Sequence, residues 1–273
     1  LVAVWRASAG DRGPELKYVP NNGPHGPAAV RNLGWRNARA PIVAFTEDDT
    51  VPSPSWLKHG LSAFTDNVDA VTGRVDMPPT GAATDYHREA RRLEPTEFPI
   101  ANCFCRKSML EKVGGFDERF HACWPNDFHF SLIKIHATSA RTQHALVVHP
   151  VRPLAWGASV WQLKNLAFDA LLFKTHPQLY RQKIRATPAW GHYATVAALA
   201  TCAVGIGVGS AAIVLPGAAA WTVMTALLCG KRLRGTSGSL SQVAEMVVTS
   251  ALIPPAAVFW RLAGAIRFRV RFA

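Results

Sequence analysis

Three adjacent acids, Glu47, Asp48 and Asp49, follow directly on a short apolar run, Pro41-Ile-Val-Ala-Phe45. The run reads as a buried strand. In open α/β sheets ligands gather at the carboxyl ends of strands, and Mg²⁺ there takes one or two carboxylates plus substrate phosphates. A carboxylate cluster closing a strand is therefore placed to hold a hard divalent cation. Neighbours on an extended chain face opposite sides, which turns Asp48 away from the side shared by Glu47 and Asp49. The plain alternative is a solvated acidic turn closed by Pro52 and Pro54. His149, in His-Pro-Val-Arg-Pro, ends a later apolar run. As a neutral imidazole it can complete a metal site, and it can equally be structural.

The elements that must position these groups alternate. Residues 1–5 and 16–19 read as strands, 28–38 as a helix carrying Arg31 and Asn32, and 42–45 as the strand before the acids. A helix over 55–64, a strand over 69–75, a charged helix over 85–93 and a strand over 101–105 follow. A short helix over 108–113 stops at Gly114-Gly115, a helix covers 128–136, and a strand over 145–148 ends at His149. Short strands alternating with helices predict an α/β domain.

Two blocks give this pattern a relative. Gly26, Arg31, Asn32, Gly34, Phe45, Asp49, Pro52, Trp56 and Leu57 fall in register with Gly-x-x-x-Ala-Arg-Asn-x-Gly, an apolar strand, an Asp-x-Asp cluster, Pro and Trp-Leu. The segment beginning Asn102-Cys-Phe-Cys-Arg-Lys-Ser-Met-Leu and closing Gly-Gly-Phe-Asp-Glu-Arg-Phe120 resembles Asn-x-x-x-Arg-Arg-x-x-Leu-Glu-x-Val-Gly-Gly-Phe-Asp-Glu. Both patterns resemble the nucleotide-sugar half of family 2 glycosyltransferases, inverting enzymes of the GT-A (Rossmann-like) fold. The resemblance covers roughly residues 15–150. It implies a nucleotide-sugar donor, Mg²⁺ or Mn²⁺, and a metal site at Asp49 with His149 as a further ligand. It implies donor contacts from Arg31, Asn32, Glu47, Asp48 and Asn102. Glu47 stands where the family usually has Asp. The family's base lies in a Glu-Asp-x-Asp segment. In the corresponding Trp124-Pro-Asn-Asp-Phe-His-Phe-Ser131 only Asp127 is acidic, and a gapless match makes it the catalytic base. In that match Asn126 replaces the Glu and His129 the second Asp. The alternative for Asp127 is a helix N-cap. Asp117 is expected to serve a turn. The family's two opening strand motifs are missing, so the chain is read as a fragment beginning inside the catalytic domain.

Charge divides the chain. Residues 1–128 hold 15 Lys/Arg and 16 Asp/Glu, whereas residues 129–273 hold 15 Lys/Arg against only Asp169 and Glu245. Asymmetry of this kind points to nucleic acid or a membrane. The basic residues lie around apolar stretches, which selects membrane lipids and excludes a nucleic-acid partner. Ala186 to Gly230 is 45 residues without a formal charge, enough for two spans of about 20 residues each. Lys174, Arg181, Lys183 and Arg185 precede it, and Lys231, Arg232 and Arg234 follow. Basic residues on both flanks place both ends in the cytoplasm. The segment is thus a hairpin turning near 205–210 or at 216–217. Met246 to Trp260 is only 15 apolar residues and contains Pro254-Pro255. It reads as an interfacial or re-entrant segment whose arginines meet lipid phosphates. No basic, then apolar, leader stands at the start. Cys103 and Cys105 share one face of a strand, as buried core thiols or a metal pair.

The expected organisation is a GT-A domain over 1–150, a linker with amphipathic helices over 151–189, a membrane hairpin over 190–230 and a basic tail over 231–273. The expected activity is transfer of a sugar to a lipid or glycan acceptor at the cytoplasmic leaflet of a bacterial inner membrane. The alternative is a non-catalytic relative that binds or scaffolds.

Overall fold

The computed structural model describes residues 15–78, 84–152, 154–234 and 236–271. Helix α1 (Pro27–Asn37) starts with Pro27 at N1 after Gly26, whose φ of 123° only glycine adopts readily. Strand β1 (Ile42–Thr46) runs into the acid turn, and β2 (Val51–Pro52) leaves it. Next come α2 (Trp56–Ser62), β3 (Ala70–Asp76), α3 (Asp85–Ala90), β4 (Asn102–Arg106) and α4 (Lys107–Val113). Gly114, left-handed at φ 79°, closes α4 as the Gly-Gly pair predicts. Helix α5 (Trp124–Lys134) and β5 (Ser139–Val148) complete the layer.

The five strands form one sheet in the order β1-β4-β3-β5-β2. β4 is antiparallel to both β1 and β3, and β3 is parallel to β5. Strands β1, β3 and β5 therefore point the same way, and their carboxyl ends share one rim. Two-residue alternation sends Val43, Phe45, Cys103 and Cys105 to one face, packed with Leu110, Phe116 and Phe128. Val71, Phe104, Ala145 and Val147 pack on the other face with Trp56. Both cysteines are fully buried among apolar side chains, which settles them as core.

The larger core crosses residue 150. Helix α6 (Ala158–Trp161), a 3₁₀ turn (Gln162–Leu166) and α7 (Ala167–Thr175) follow β5. Phe168, Leu171 and Leu172 of α7 sit in one cluster with Phe128 and Phe130 of α5. A single turn, α8 (Pro177–Leu179), runs into a π turn (Tyr180–Ile184). Helices α9 (Trp190–Gly207) and α10 (Ala211–Leu233) then form the hairpin, turning at Gly209 with φ 68°. Their backbones approach closely: a Cβ on Gly217 would lie 2.7 Å from Cys202 N. The last helix, α11 (Leu240–Arg267), is 28 residues long.

Several expectations need correction. Residues 16–19 form no strand, and 1–5 lie outside the described residues. The helix expected at 128–136 begins at Trp124, and the strand expected at 145–148 begins at Ser139. The short apolar segment expected at 246–260 is the middle of α11, which runs through both prolines. Ser239 caps its start, its side chain accepting from Gln242 N. By length and composition, the helices able to cross a membrane among the described residues are α10 and α11 rather than α9. Helix α9 is 18 residues and opens on Trp190, His192 and Tyr193, which dilutes its apolar run.

Candidate functional site

The common rim of β1, β3 and β5 brings distant residues together. Val51 pairs with Val148, so β2 lays the acid turn beside the end of β5. The turn itself is tight, with Thr50 donating to Glu47 O from both N (3.3 Å) and Oγ1 (2.7 Å). Glu47, Asp49 and His149 consequently present one ligand atom each, all within 4.8 Å of one another. His149 Nε2 lies 3.4 Å from Glu47 Oε2 and 3.6 Å from Asp49 Oδ1. Both gaps exceed the roughly 2.7–3.2 Å of an N–H···O bond, so the facing lone pairs are free to converge on a cation.

The outer oxygens face positive charge. Glu47 Oε1 accepts from Arg31 Nη2 at 2.9 Å. Asp49 Oδ2 is 3.8 Å from Arg152 Nη2. The Arg31 guanidinium also lies 4.0 Å above the Trp124 ring, a cation–π contact. Burial lowers the Arg31 pKa, and the charge of Glu47 works against that fall. The fixed cation thus sits between the acid turn and the start of α5. Asp48 is exposed in the turn and lies outside the cluster.

Two residues expected to contact the donor have buried, hydrogen-bonded side chains. Asn32 is 1 % exposed, and its amide is saturated. It donates to Phe116 O and Glu118 Oε1, both at 2.8 Å, and accepts from Phe116 N and Trp35 Nε1, both at 2.9 Å. It locks α1 to the Gly-Gly-Phe-Asp loop, where a Cβ on Gly115 would meet its Oδ1 at 2.3 Å. Asn102 is fully buried. It donates to Arg74 O and Ala145 O and accepts from Trp56 Nε1, each at 2.8 Å. Both asparagines build the site from behind. Asp117 serves its turn, accepting from Arg119 N at 3.0 Å.

Asp127 lies inside α5 rather than at its cap, which is Cys123. It is 3 % exposed, and its Oδ1 is 2.9 Å from Nε2 of the equally buried His176. A second buried set lies beside it. Asp169 Oδ2 accepts from Arg261 Nη2 at 3.0 Å and from Tyr180 Oη at 3.2 Å. Sequence reading missed His176 and Arg152. The basic Arg152 of His-Pro-Val-Arg-Pro is three residues past His149, the one local signal for either.

A mixed sheet with acids and an imidazole at one rim, and a cation behind them, defines a GT-A type α/β domain. Residues 4–137 match the family model Glycosyl transferase family 2, which supports a family 2 glycosyltransferase domain over that stretch. Over 147 residues it is 33% identical to a pre-mycofactocin glycosyltransferase of Mycobacterium tuberculosis, covering 47% of this chain and 31% of that protein. It is 29% identical over 150 residues to the glycosyltransferase AglE of Haloferax volcanii, covering 50% and 49%. The matched stretch is thus half or less of these relatives' length. In fold it is similar to the mannosyltransferase PcManGT of Pyrobaculum calidifontis, solved with GDP-Man and Mn²⁺. That likeness has a TM-score of 0.51 and 17% identity, covering 89% of this chain and 68% of that one.

Proposed function

We propose that this chain transfers a sugar, with inversion, from a nucleotide-sugar donor to a lipid-borne or glycan acceptor at the cytoplasmic face of a bacterial inner membrane. The observation that carries this is the convergence of Glu47, Asp49 and His149 at the strand rim of a family 2 domain. The donor set fits a divalent cation. Two carboxylates suit Mg²⁺ or Mn²⁺, and the imidazole nitrogen favours Mn²⁺. Such a cation, when bound, offsets the charge of a departing diphosphate. Arg31 holds Glu47 in place and keeps a positive charge at the rim. Arg152, largely exposed, adds a second positive charge near Asp49.

Membrane association is supported by the hairpin's uncovered apolar surface, in which Ile206, Leu215 and Leu227 are each about 70% exposed. Trp161 and Trp190 are exposed near its base, where interfacial aromatics belong. Helix α11 follows the soluble layer instead. Glu245 accepts from Gly157 N, and Gly264 abuts Ala167 so closely that a Cβ would lie 2.3 Å from its carbonyl oxygen. This supports an interfacial α11 despite its length.

Asp127 is the candidate base by its place in the chain. For that role the His176 bond must open, because a carboxylate 3 % exposed reaches no acceptor hydroxyl. Its burial favours the second reading, a relative that binds nucleotide sugar without transferring it.

Calorimetry of the full chain with GDP or UDP, with Mn²⁺ or with EDTA, tests the site. Binding should need the cation, and Asp49→Ala and His149→Ala should each remove that need. Cation-dependent binding that survives both variants would refute the metal assignment. Transfer from radiolabelled nucleotide sugars to membrane lipid then separates the enzyme from the silent binder.

A further inference from the structure

Helix α11 has two unlike faces. Met246, Thr249, Pro254, Ala257, Arg261 and Gly264 are buried, and the helix packs against α7 and both helices of the hairpin. On the opposite side Val248, Leu252, Phe259, Leu262 and Ile266 are between 43% and 79% exposed. At 3.6 residues per turn these five fall within about 80° of one another, along about 27 Å of helix. The stretch from Met246 to Trp260 contains no charged residue. Both ends of α11 are tied to the segment that follows β5. Near the start Glu245 accepts from Gly157 N, and at the end Lys174 donates to Phe268 O, each at 2.8 Å. A helix tied at both ends to one soluble layer lies along a bilayer surface rather than across it.

The apolar stripe ends in a group of cations drawn from separate elements. Lys134 of α5 donates to Thr175 O at 2.7 Å, and Lys174, beside Thr175, reaches Phe268 O. Arg267 and Arg269 flank Phe268 in the chain, and the Arg267 guanidinium lies 5.6 Å from the Phe168 ring of α7. Arg181 stands 5.1 Å over the ring of Phe173, the neighbour of Lys174. All five cations are exposed, and none forms an ion pair among the described residues. Acids of the neighbouring elements are already engaged: Asp127 with His176, Asp169 with Arg261, Glu97 with Lys183 and Asp117 with Arg119. Each lysine uses one of its three N–H groups on a carbonyl, which leaves two for an anion.

We propose that α11 lies in the headgroup boundary with this stripe towards the acyl chains, and that the cations at its end hold the phosphates of anionic phospholipids. The inference rests on the membrane association proposed above, and not on sugar transfer. An anionic leaflet attracts basic side chains close to its surface. A guanidinium takes two phosphate oxygens at once. Nucleic acid would match the cations equally, but it offers no apolar layer for the stripe.

The test places the full chain in phosphatidylcholine nanodiscs with phosphatidylglycerol as the minor lipid, and native mass spectrometry counts the lipids that stay bound. Phosphatidylglycerol should be enriched among them about fivefold over its share of the disc, and less so as salt rises. Combining Lys134→Gln, Lys174→Gln, Arg267→Gln and Arg269→Gln should remove the enrichment, while glutamine keeps a donor for each carbonyl. Lys231→Gln with Arg234→Gln takes the same kind of charge from the end of the hairpin and should leave the enrichment in place. Should the combined variant fail to fold by circular dichroism, Lys134→Gln with Arg269→Gln should still lower the enrichment about twofold. Enrichment that is absent in the wild type, or unchanged in a folded cluster variant, overturns the proposal. So does an equal loss in the Lys231 and Arg234 variant, which would leave no local site. A dimer without enrichment overturns it as well, a second copy then covering the stripe. A chain that does not enter the nanodiscs refutes the membrane association itself, whereas entry without lipid preference refutes this inference alone.

Discussion

Arg261→Met should destabilise the protein in a way that fades on acidification. Arg261 and Asp169 form a buried pair, their side chains 6% and 12% exposed, joining α11 to α7 at 3.0 Å. Burial raises the Asp169 pKa, and the charge of Arg261 is the first influence opposing that rise. Without Arg261 the carboxyl must bind a proton to stay buried. At pH 7 this costs about 1.36 kcal/mol for each unit above the unfolded value of roughly 3.9, or about 4 kcal/mol. The figure agrees with the ~3–5 kcal/mol measured when one partner of a buried pair is removed. The sign follows from linkage. In the variant the folded carboxyl holds its proton above pH 3.9 while the unfolded one releases it. Stability is therefore lost as pH rises from 3.9 towards the raised folded value. The deficit against wild type should fall to about 1.5 kcal/mol at pH 5. Urea unfolding of the full chain in a mild detergent, between pH 5 and pH 7.5, measures it. Asp169→Asn in the Arg261→Met background should flatten the pH slope. A deficit below about 1 kcal/mol at pH 7, the size of a surface pair, or one independent of pH, would refute the reasoning.

Asp127→Asn should weaken folding by about 1.5–3 kcal/mol through the lost charged bond to His176. Measured on the same sample, a loss of about 10²–10⁴ in transfer rate would identify it as the base, and an unchanged rate would leave it a structural acid. Asn102→Ala should cost about 3 kcal/mol or more, because Trp56 Nε1, Arg74 O and Ala145 O lose a buried partner together. The nucleotide affinity of its folded fraction, read by calorimetry, should stay at the wild-type value. Cys103 and Cys105 should resist thiol reagents until the protein unfolds. Burial pushes the Cys105 thiol up to about 12, leaving about one thiolate in ten thousand at pH 8. A mass-spectrometric labelling time course shows either outcome.

Local pattern made much of the rim legible. A five-residue apolar run ending in acids needs no distant partner to read as β1 and its turn. The Gly-Gly pair ended α4 where it was expected, because a left-handed cap needs a glycine. What stayed hidden depends on long-range partners. Strand β2 is two residues including a proline, and it exists only through its register with β5. Asn32 and Asn102 matched family positions, and sequence offered nothing to separate ligand contact from burial. Their partners lie 84 and 43 residues away. Asp127 posed the same problem, since His176 is 49 residues on. For α11 the local signs misled: Glu245 seemed to end the apolar segment and Pro254-Pro255 to break it. The carboxylate is accommodated by Gly157 N. The prolines lack donors that would otherwise reach the carbonyls of Ser250 and Ala251, and packing against the 157–174 segment outweighs that loss.

The charge asymmetry of the chain acquires a structural meaning from these contacts. The second half contains two acids, and both are used to attach α11 to the domain: Asp169 through Arg261 and Glu245 through Gly157 N. Arg232, at the end of the hairpin, is held by Asp85 of the first half. Helices α10 and α11 are therefore fastened to the sheet domain by oriented side-chain bonds. Asp127 and His176 stand in the same contact layer, between α5 and α7, and Trp124 at the head of α5 carries the ring beneath Arg31. Helix α5 thus carries both contacts, Asp127 towards His176 and Trp124 towards Arg31, which in turn bonds Glu47.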